Sequence, residues 1–292
     1  MTEKKWQGDT FGNNCMHRWL IAMLRHSDVR IYSVFAAVCA VPFCLLFSPG
    51  ARHAYRYFRR RWHNGCVKAL WHTYVNHVLF SQVVIDRFAM FAGKKMSLQV
   101  EGHDAFKRLA QGEEGFVMLS AHVGCYEMAG YELVSDSKPF NALVYGGEKA
   151  SVMRGRQQLF GLNNIHMIPI RTDMSHLFEI DRALSAGEIV SIPADRVYGS
   201  PRTVTVNLLG AAAELPLGPF QVPAMRQLNV VTVNVMKTST RGYTAYVKVL
   251  DYDKQTPRKQ QVQQLATAYA AELEQVLRRF PTQWYNYFEF WK

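Results

Sequence analysis

Acidic residues are scarce in this chain: 23 Asp and Glu stand against 34 Lys and Arg over 292 residues, a formal charge of +11. An acidic partner is thereby favoured, whether nucleic acid, an acidic carrier or a phospholipid surface. The five cysteines, at 15, 39, 44, 66 and 125, form no CxxC pair and no metal-ligand spacing, and two of them sit inside an apolar run; reduced thiols facing the cytoplasm are the simplest reading. No nucleic-acid motif is present, and the arginines cluster beside an apolar segment, so nucleic acid is disfavoured. Internal repeats, low-complexity segments and long linkers are absent too. With 49% hydrophobic residues and 20% charged, the chain is not disordered and has the size for a large core.

One long uncharged run is present, Ile31 to Ala51, "IYSVFAAVCAVPFCLLFSPGA". It just reaches the ~20 residues needed to cross a bilayer. Pro42 and the Ser48-Pro49-Gly50 end interrupt it, so a helix lying in the membrane interface and a buried core helix compete with a span. A cleavable signal peptide is disfavoured, because the run starts late and no small-x-small site follows it. "RHAYRYFRRR" comes next, from Arg52 to Arg61. It outweighs Arg18, Arg25 and Arg30 before the run, so the positive-inside bias places the large C-terminal part in the cytoplasm, with Arg59, Arg60 and Arg61 meeting anionic headgroups.

Val67 to Gly93 carries apolar residues at helical spacing and reads as one long or two short helices. Beyond Lys95 short apolar runs alternate with helix-like segments. Strands are expected at 116–120, 141–145, 165–170, 188–194, 203–209, 229–236 and 243–250, with helices near 104–112, 126–135, 148–160, 174–186 and 218–227. That alternation predicts an α/β fold, a mixed sheet flanked by helices. A last helix, Arg258 to Phe280, is ended by Pro281, and the aromatic tail "TQWYNYFEFWK" either packs onto the domain, the expected role, or forms a membrane-interface belt. The expected organisation is an apolar, membrane-associating helical region over 1–94 and one α/β domain over 95–292.

Chemistry concentrates in "SAHVGCYEMAG", residues 120–130. Five positions along a continuous helix would set His122 and Glu127 about 140° apart. A working pair therefore needs a bend, with His122 on the strand-end turn and Glu127 in the first turn of the following helix, and Gly124 makes that bend cheap. The Glu carboxylate would then fix the imidazole tautomer, leaving the other nitrogen to take a proton from an acceptor hydroxyl or amine. A helix-capping Glu beside a hydrogen-bonded His fits the same spacing. Cys125 as nucleophile, or His122 with Cys125 as metal ligands, fits it poorly, since zinc would lack further ligands. A second constellation, "PADRVYGSPR", sets Asp195, Arg196, Tyr198, Gly199 and Arg202 at another strand end, where arginines can clamp a phosphate or carboxylate or simply pair with Asp195. A third, "GGEKASVMRGRQQLFG", brings Lys149, Arg154 and Arg156 together, facing an anionic substrate or water.

Taken in order, the basic N-terminus, "LSAHVGCYE", "ALSAGEIVSIPADRVYG", "RTVTVNLLGAAAELPLGPFQVPAM", "NVVTVNV" and "PTQWYNYFEFWK" resemble the lysophospholipid acyltransferase superfamily, specifically the lipid A biosynthesis (HtrB/LpxL-like) acyltransferases of Gram-negative bacteria. The resemblance runs from about Arg52 to Lys292. It implies a glycerolipid acyltransferase-like mixed α/β sheet with an apolar acyl groove. It also implies transfer of an acyl chain from acyl carrier protein, or acyl-CoA, to a hydroxyl or amine of a lipid at the inner leaflet of the inner membrane. By that match His122 would be the general base and Glu127 its orienting carboxylate; Arg154, Arg156, Asp195, Arg196 and Arg202, from the two constellations read above, are the expected substrate-side residues. No metal or redox cofactor is expected. The family usually carries an Asp-Gln-Asp type of stretch where this chain has "PADRVYG", and a Trp-x-x-His-Arg-Arg type of run where it has "WYNYFEFW". Two acceptors therefore stay open: lipid A or a related glycolipid, and the product of an LpxL-like branch such as an aryl polyene or an aminoacyl lipid. A hydrolase, and a non-catalytic protein binding anionic lipid, are the other classes in play.

Overall fold

The structure is a computed structural model and describes residues 13–129, 138–147, 150–162, 165–171, 173–197 and 201–291. Helix α1, Asn14–His26, starts where the Asn13 side chain accepts the Met16 N–H at 2.8 Å, the usual N-cap bond. Helix α2, Val29–Phe47, is capped by Asp28, which accepts the Arg30 N–H. A π turn at Ala36–Ala40 ends two residues before Pro42; Pro42 has no N–H for the ladder and its ring presses on the preceding turn, and the widened turn absorbs both effects. The chain breaks at Ser48, which is extended, and Pro49 opens α3, Pro49–Arg60, the helix position proline tolerates best. The uncharged run thus ends in two helices, with its break at Ser48.

Helix α4, Cys66–Phe91, is 26 residues long, about 39 Å. Its N-terminal half leaves Val67, Leu70 and Trp71 exposed, while Phe88, Ala89, Met90 and Phe91 at its other end are buried in the core of the sheet. Asp86 pins it there, accepting Lys237 Nζ and the Tyr243 hydroxyl, each at 2.5 Å.

Seven strands form the main sheet: β1 Ser97–Glu101, β2 Phe116–Ser120, β3 Phe140–Tyr145, β4 Ile165–Ile170, β5 Ile189–Pro193, β8 Val230–Lys237 and β9 Gly242–Leu250. Their order is β1-β9-β8-β2-β5-β3-β4. All neighbours are parallel except β8 and β9, so the sheet is mixed, as expected. Strands β6, Thr203–Leu208, and β7, Ala211–Pro216, make a separate antiparallel hairpin. Helices α5 His103–Gln111, α6 Ala150–Leu162, α7 His176–Ser185, α8 Gly218–Arg226 and α9 Arg258–Arg279 complete the described elements.

Period-two alternation divides the core between the two faces of the sheet. Val117, Leu119, Val190 and Ile192 face α7, α8 and α9, against Ile180, Phe220, Leu265 and Tyr269. Phe116, Met118, Ile189 and Val233 face the other way, against Phe88 of α4, Phe106 of α5 and Leu24 of α1. The aromatic tail packs: Trp284, Tyr285, Phe290 and Trp291 are buried, and Trp284 meets Tyr57, Phe290 and Trp291 ring to ring.

Candidate active site

Strands β2 and β5 are parallel neighbours, with Ser120 opposite Pro193. Each chain leaves the sheet at the same edge, and two residues further on stand His122 and Asp195. Asp195 Oδ1 accepts from His122 Nδ1 at 2.7 Å, and Oδ2 accepts from the His122 backbone N–H at 2.9 Å and from the Trp284 indole N–H at 3.2 Å. An ionised carboxylate only accepts hydrogen bonds, so Nδ1 carries the proton and Nε2 presents a lone pair. Asp195 is 1% exposed and the His122 side chain 17%: the carboxylate is sealed and the ring has access to solvent.

Electrostatics keep the pair ready to accept a proton. Burial would raise the Asp195 carboxyl, but the His122 imidazole, its hydrogen bonds and Arg196 outweigh burial and hold it well below the usual carboxylate range. Burial, followed by the Arg196 charge, lowers His122 against the opposing pull of Asp195. The imidazole is therefore neutral, and able to act as a base, to a lower pH than an ordinary histidine.

The turn after His122 is made by Gly124, at φ +49°, where a Cβ would sit 2.0 Å from the Val235 carbonyl oxygen. Only glycine fits there. A short 3₁₀ turn, Tyr126–Met128, follows and buries Glu127 between α4 and α6. Glu127 Oε1 accepts from Arg87 at 3.2 Å and from Arg156 at 2.5 Å. Gly155 lets α6 come this close, since a Cβ there would fall 2.7 Å from the Phe91 ring at the end of α4. Burial opposes the charge of Glu127, but the two guanidiniums prevail and hold its carboxyl at about 2. Its second oxygen, Oε2, is buried with no hydrogen-bond partner among the described residues.

These positions correct the expected pairing. The bend at Gly124 is present, but the carboxylate on the imidazole is Asp195, and Glu127 is turned toward Arg87 and Arg156. Asp195 already occupies Nδ1, and two buried guanidiniums claim Glu127 more strongly than a neutral imidazole can. Of the other expected residues, Arg156 is buried at Glu127, while Arg196 lies behind the pair, donating to the Tyr285 carbonyl at 2.9 Å with its guanidinium over the Phe288 ring. Arg154 and Arg202 are exposed, on α6 and just before β6. Lys149, Tyr198 and Gly199 lie outside the described residues.

Arg87 and Trp284 were not anticipated. Arg87 had a signal: Asp86-Arg87 is a charge pair inside an otherwise apolar helical run, and buried charges require partners. Cys125 is buried and its thiol is pushed up to about 12, by burial and then by Glu127, which suits a core residue better than a nucleophile. Among the described residues no group of three or more His, Cys, Asp or Glu is placed to hold a metal ion.

No curated protein matches the chain. The crystal structure of the 1-acyl-sn-glycerophosphate acyltransferase PlsC from Thermotoga maritima aligns over 93% of this chain and 99% of its own, at 12% identity and a TM-score of 0.40. The family model of the bacterial lipid A biosynthesis acyltransferases matches residues 83–292, which takes in Arg87, His122, Glu127, Arg156, Asp195 and Trp284. The chain therefore belongs to the bacterial lipid A biosynthesis acyltransferase family and is an acyltransferase.

Proposed function

We propose that the protein transfers an acyl chain from a thioester donor, acyl carrier protein or acyl-CoA, to a hydroxyl of a lipid acceptor of the lipid A type, with His122 as general base. The observation that carries this reading is the His122–Asp195 bond, which leaves Nε2 as the acceptor nitrogen at a solvent-accessible strand end. As the acceptor oxygen attacks the thioester carbonyl, Nε2 takes its proton. The C–O bond forms, the C–S bond breaks, and the proton passes from the imidazolium to the departing thiolate. Asp195 stabilises the imidazolium and keeps the ring in the productive tautomer. Glu127 takes a different role from the one first expected. Clamped by Arg87 and Arg156, it keeps one buried oxygen to receive a donor group of the acceptor lipid, and the two arginines supply positive charge for that lipid's anionic groups. An amine acceptor, or a lipid of another product class, would use the same chemistry.

The reaction belongs at the cytoplasmic face of the inner membrane. Met16, Trp19 and Met23 of α1, Ile31, Val38, Phe43, Leu46 and Phe47 of α2, and Leu70 and Trp71 of α4 are all exposed; apolar exposure of that extent marks a membrane or partner surface. Val29–Phe47 is long and apolar enough to cross a bilayer, and the arginines of α3 follow it directly. In this reading residues 1–94 are the membrane-facing part and 95–292 the acyl-transferring part, with Arg87 of α4 reaching into the site.

Lipid mass spectrometry of the native host carrying the wild-type gene or the His122→Ala allele tests the reading. A lipid species lacking one acyl mass in the mutant, reproduced by a ~10²–10⁴-fold loss of transfer by the purified variant, is the expected result. Identical lipidomes, with the variant folded and abundant, would overturn it.

A further inference from the structure

We infer that the C-terminal segment Gln283–Tyr285 is a strap of the active site and that Trp284 is a positioning residue for the His122–Asp195 pair; the inference rests on His122 being the base. The segment runs antiparallel along the His122 loop without forming a full strand. Val123 and Trp284 form a β-bridge, the Gly124 N–H donates to the Gln283 carbonyl at 2.8 Å, and the Tyr285 N–H donates to the His122 carbonyl at 3.2 Å.

Three other parts of the fold hold this strap. Asn76 of α4 donates its amide to the Thr282 and Trp284 carbonyls, both at 2.9 Å. The Gln283 side chain bonds both backbone groups of Lys237 at the end of β8, accepting at 2.9 Å and donating at 2.8 Å. Arg196, the residue after Asp195, donates to the Tyr285 carbonyl. Residues separated by 206 positions in the chain are thus fixed to one another around the catalytic loop.

Trp284 does more than pack. Its ring is 2% exposed and wedged against Tyr57, Phe290 and Trp291, which fixes the direction of its N–H. Asp195 has three donors, and two of them belong to His122 itself. Among the described residues the indole is the hydrogen-bond donor to Asp195 that His122 does not supply, so it helps set the carboxylate's position independently of the residue that the carboxylate orients. A buried carboxylate with fewer donors both shifts and gains effective charge. Removing the indole N–H should loosen His122 and, because less of the Asp195 charge is then neutralised, favour the imidazolium.

The experiment is steady-state kinetics across pH on the full-length protein in detergent micelles or vesicles, using acyl carrier protein loaded with a single acyl chain, for wild type, Trp284→Phe, Phe290→Leu and His122→Ala. Trp284→Phe keeps the ring packing and deletes the donor. It is expected to lower kcat about 10-fold, the size of one lost hydrogen bond to a charged group, with KM within about twofold, and to move the acidic limb of the kcat/KM profile to higher pH. Phe290→Leu, which disturbs the same aromatic cluster without touching Asp195, is expected to lower Tm and leave the limb in place. Should Trp284→Phe fail to fold, Asn76→Ser, which lets go of the strap's carbonyls, takes its place with the same expected pattern. An unmoved limb and unchanged kcat in the folded variant, alongside a dead His122→Ala enzyme, would overturn the strap and leave the proposed function standing. An active His122→Ala enzyme would overturn both.

Discussion

Asp195→Asn exchanges one carboxylate oxygen for an NH₂ group and should remove most of the activity, and the structure shows why. The carboxylate receives three hydrogen bonds: two on Oδ2, from the His122 and Trp284 N–H groups, and one on Oδ1, from His122 Nδ1. An amide has a single acceptor oxygen. Placed at the Oδ2 position, that oxygen keeps two of the three bonds, so the NH₂ group faces Nδ1. Nδ1 can then only accept, the proton moves to Nε2, and the nitrogen meant to take the acceptor's proton already holds one. The loss of negative charge beside the imidazolium acts in the same direction. Together these should cost roughly 10³–10⁴-fold in kcat/KM, about 4–5.5 kcal/mol of transition-state stabilisation. The assay is transfer from a loaded acyl carrier protein to lipid acceptor in micelles, with Tm and far-UV circular dichroism confirming the fold. A folded Asp195→Asn enzyme within fivefold of wild type would refute the role given to this carboxylate.

Two further predictions concern the other charges of the site and the membrane face. The ordinary value for Glu127 is 4.5 and the folded value about 2, so its ion pairs contribute fully above pH 4.5 and that contribution fades as pH falls toward 2. Its size is on the order of 3 kcal/mol. Glu127→Gln should unfold more easily than wild type at neutral pH, with the gap in Tm narrowing in acid; a pH-independent gap would contradict the assignment. Replacing exposed Leu46 and Phe47 together by glutamate should cut partitioning to vesicles of phosphatidylethanolamine and phosphatidylglycerol at least 10-fold, since each side chain forgoes roughly 2 kcal/mol of apolar burial, leaving a salt-sensitive remainder from the α3 arginines. Equal flotation of the double variant would remove that face from the membrane contact.

The chain by itself determined most of its local elements. Apolar runs bounded by turn residues placed β2 at Phe116–Ser120 and β4 at Ile165–Ile170, the same bounds as in the fold; β2 is continuously apolar because it is buried on both faces, whereas β4 lies at the sheet edge with His166 exposed. Strands β1 and β7 were not foreseen. Ser97–Glu101 alternates exposed and half-buried residues at the sheet edge, and Ala211–Pro216 has weak strand propensity and forms through pairing with β6. His122 and Asp195 could each be read as strand-end residues. Their bond could not, because it depends on β2 and β5 lying side by side in the sheet order, a matter of packing across 73 positions. The same holds for Glu127: spacing put it near His122, but only the approach of α4 and α6 decided that Arg87 and Arg156 would take it. Local sequence carries propensity and periodicity, which act over a few residues; which carboxylate faces which cation is settled by long-range packing, where the strongest available partner wins.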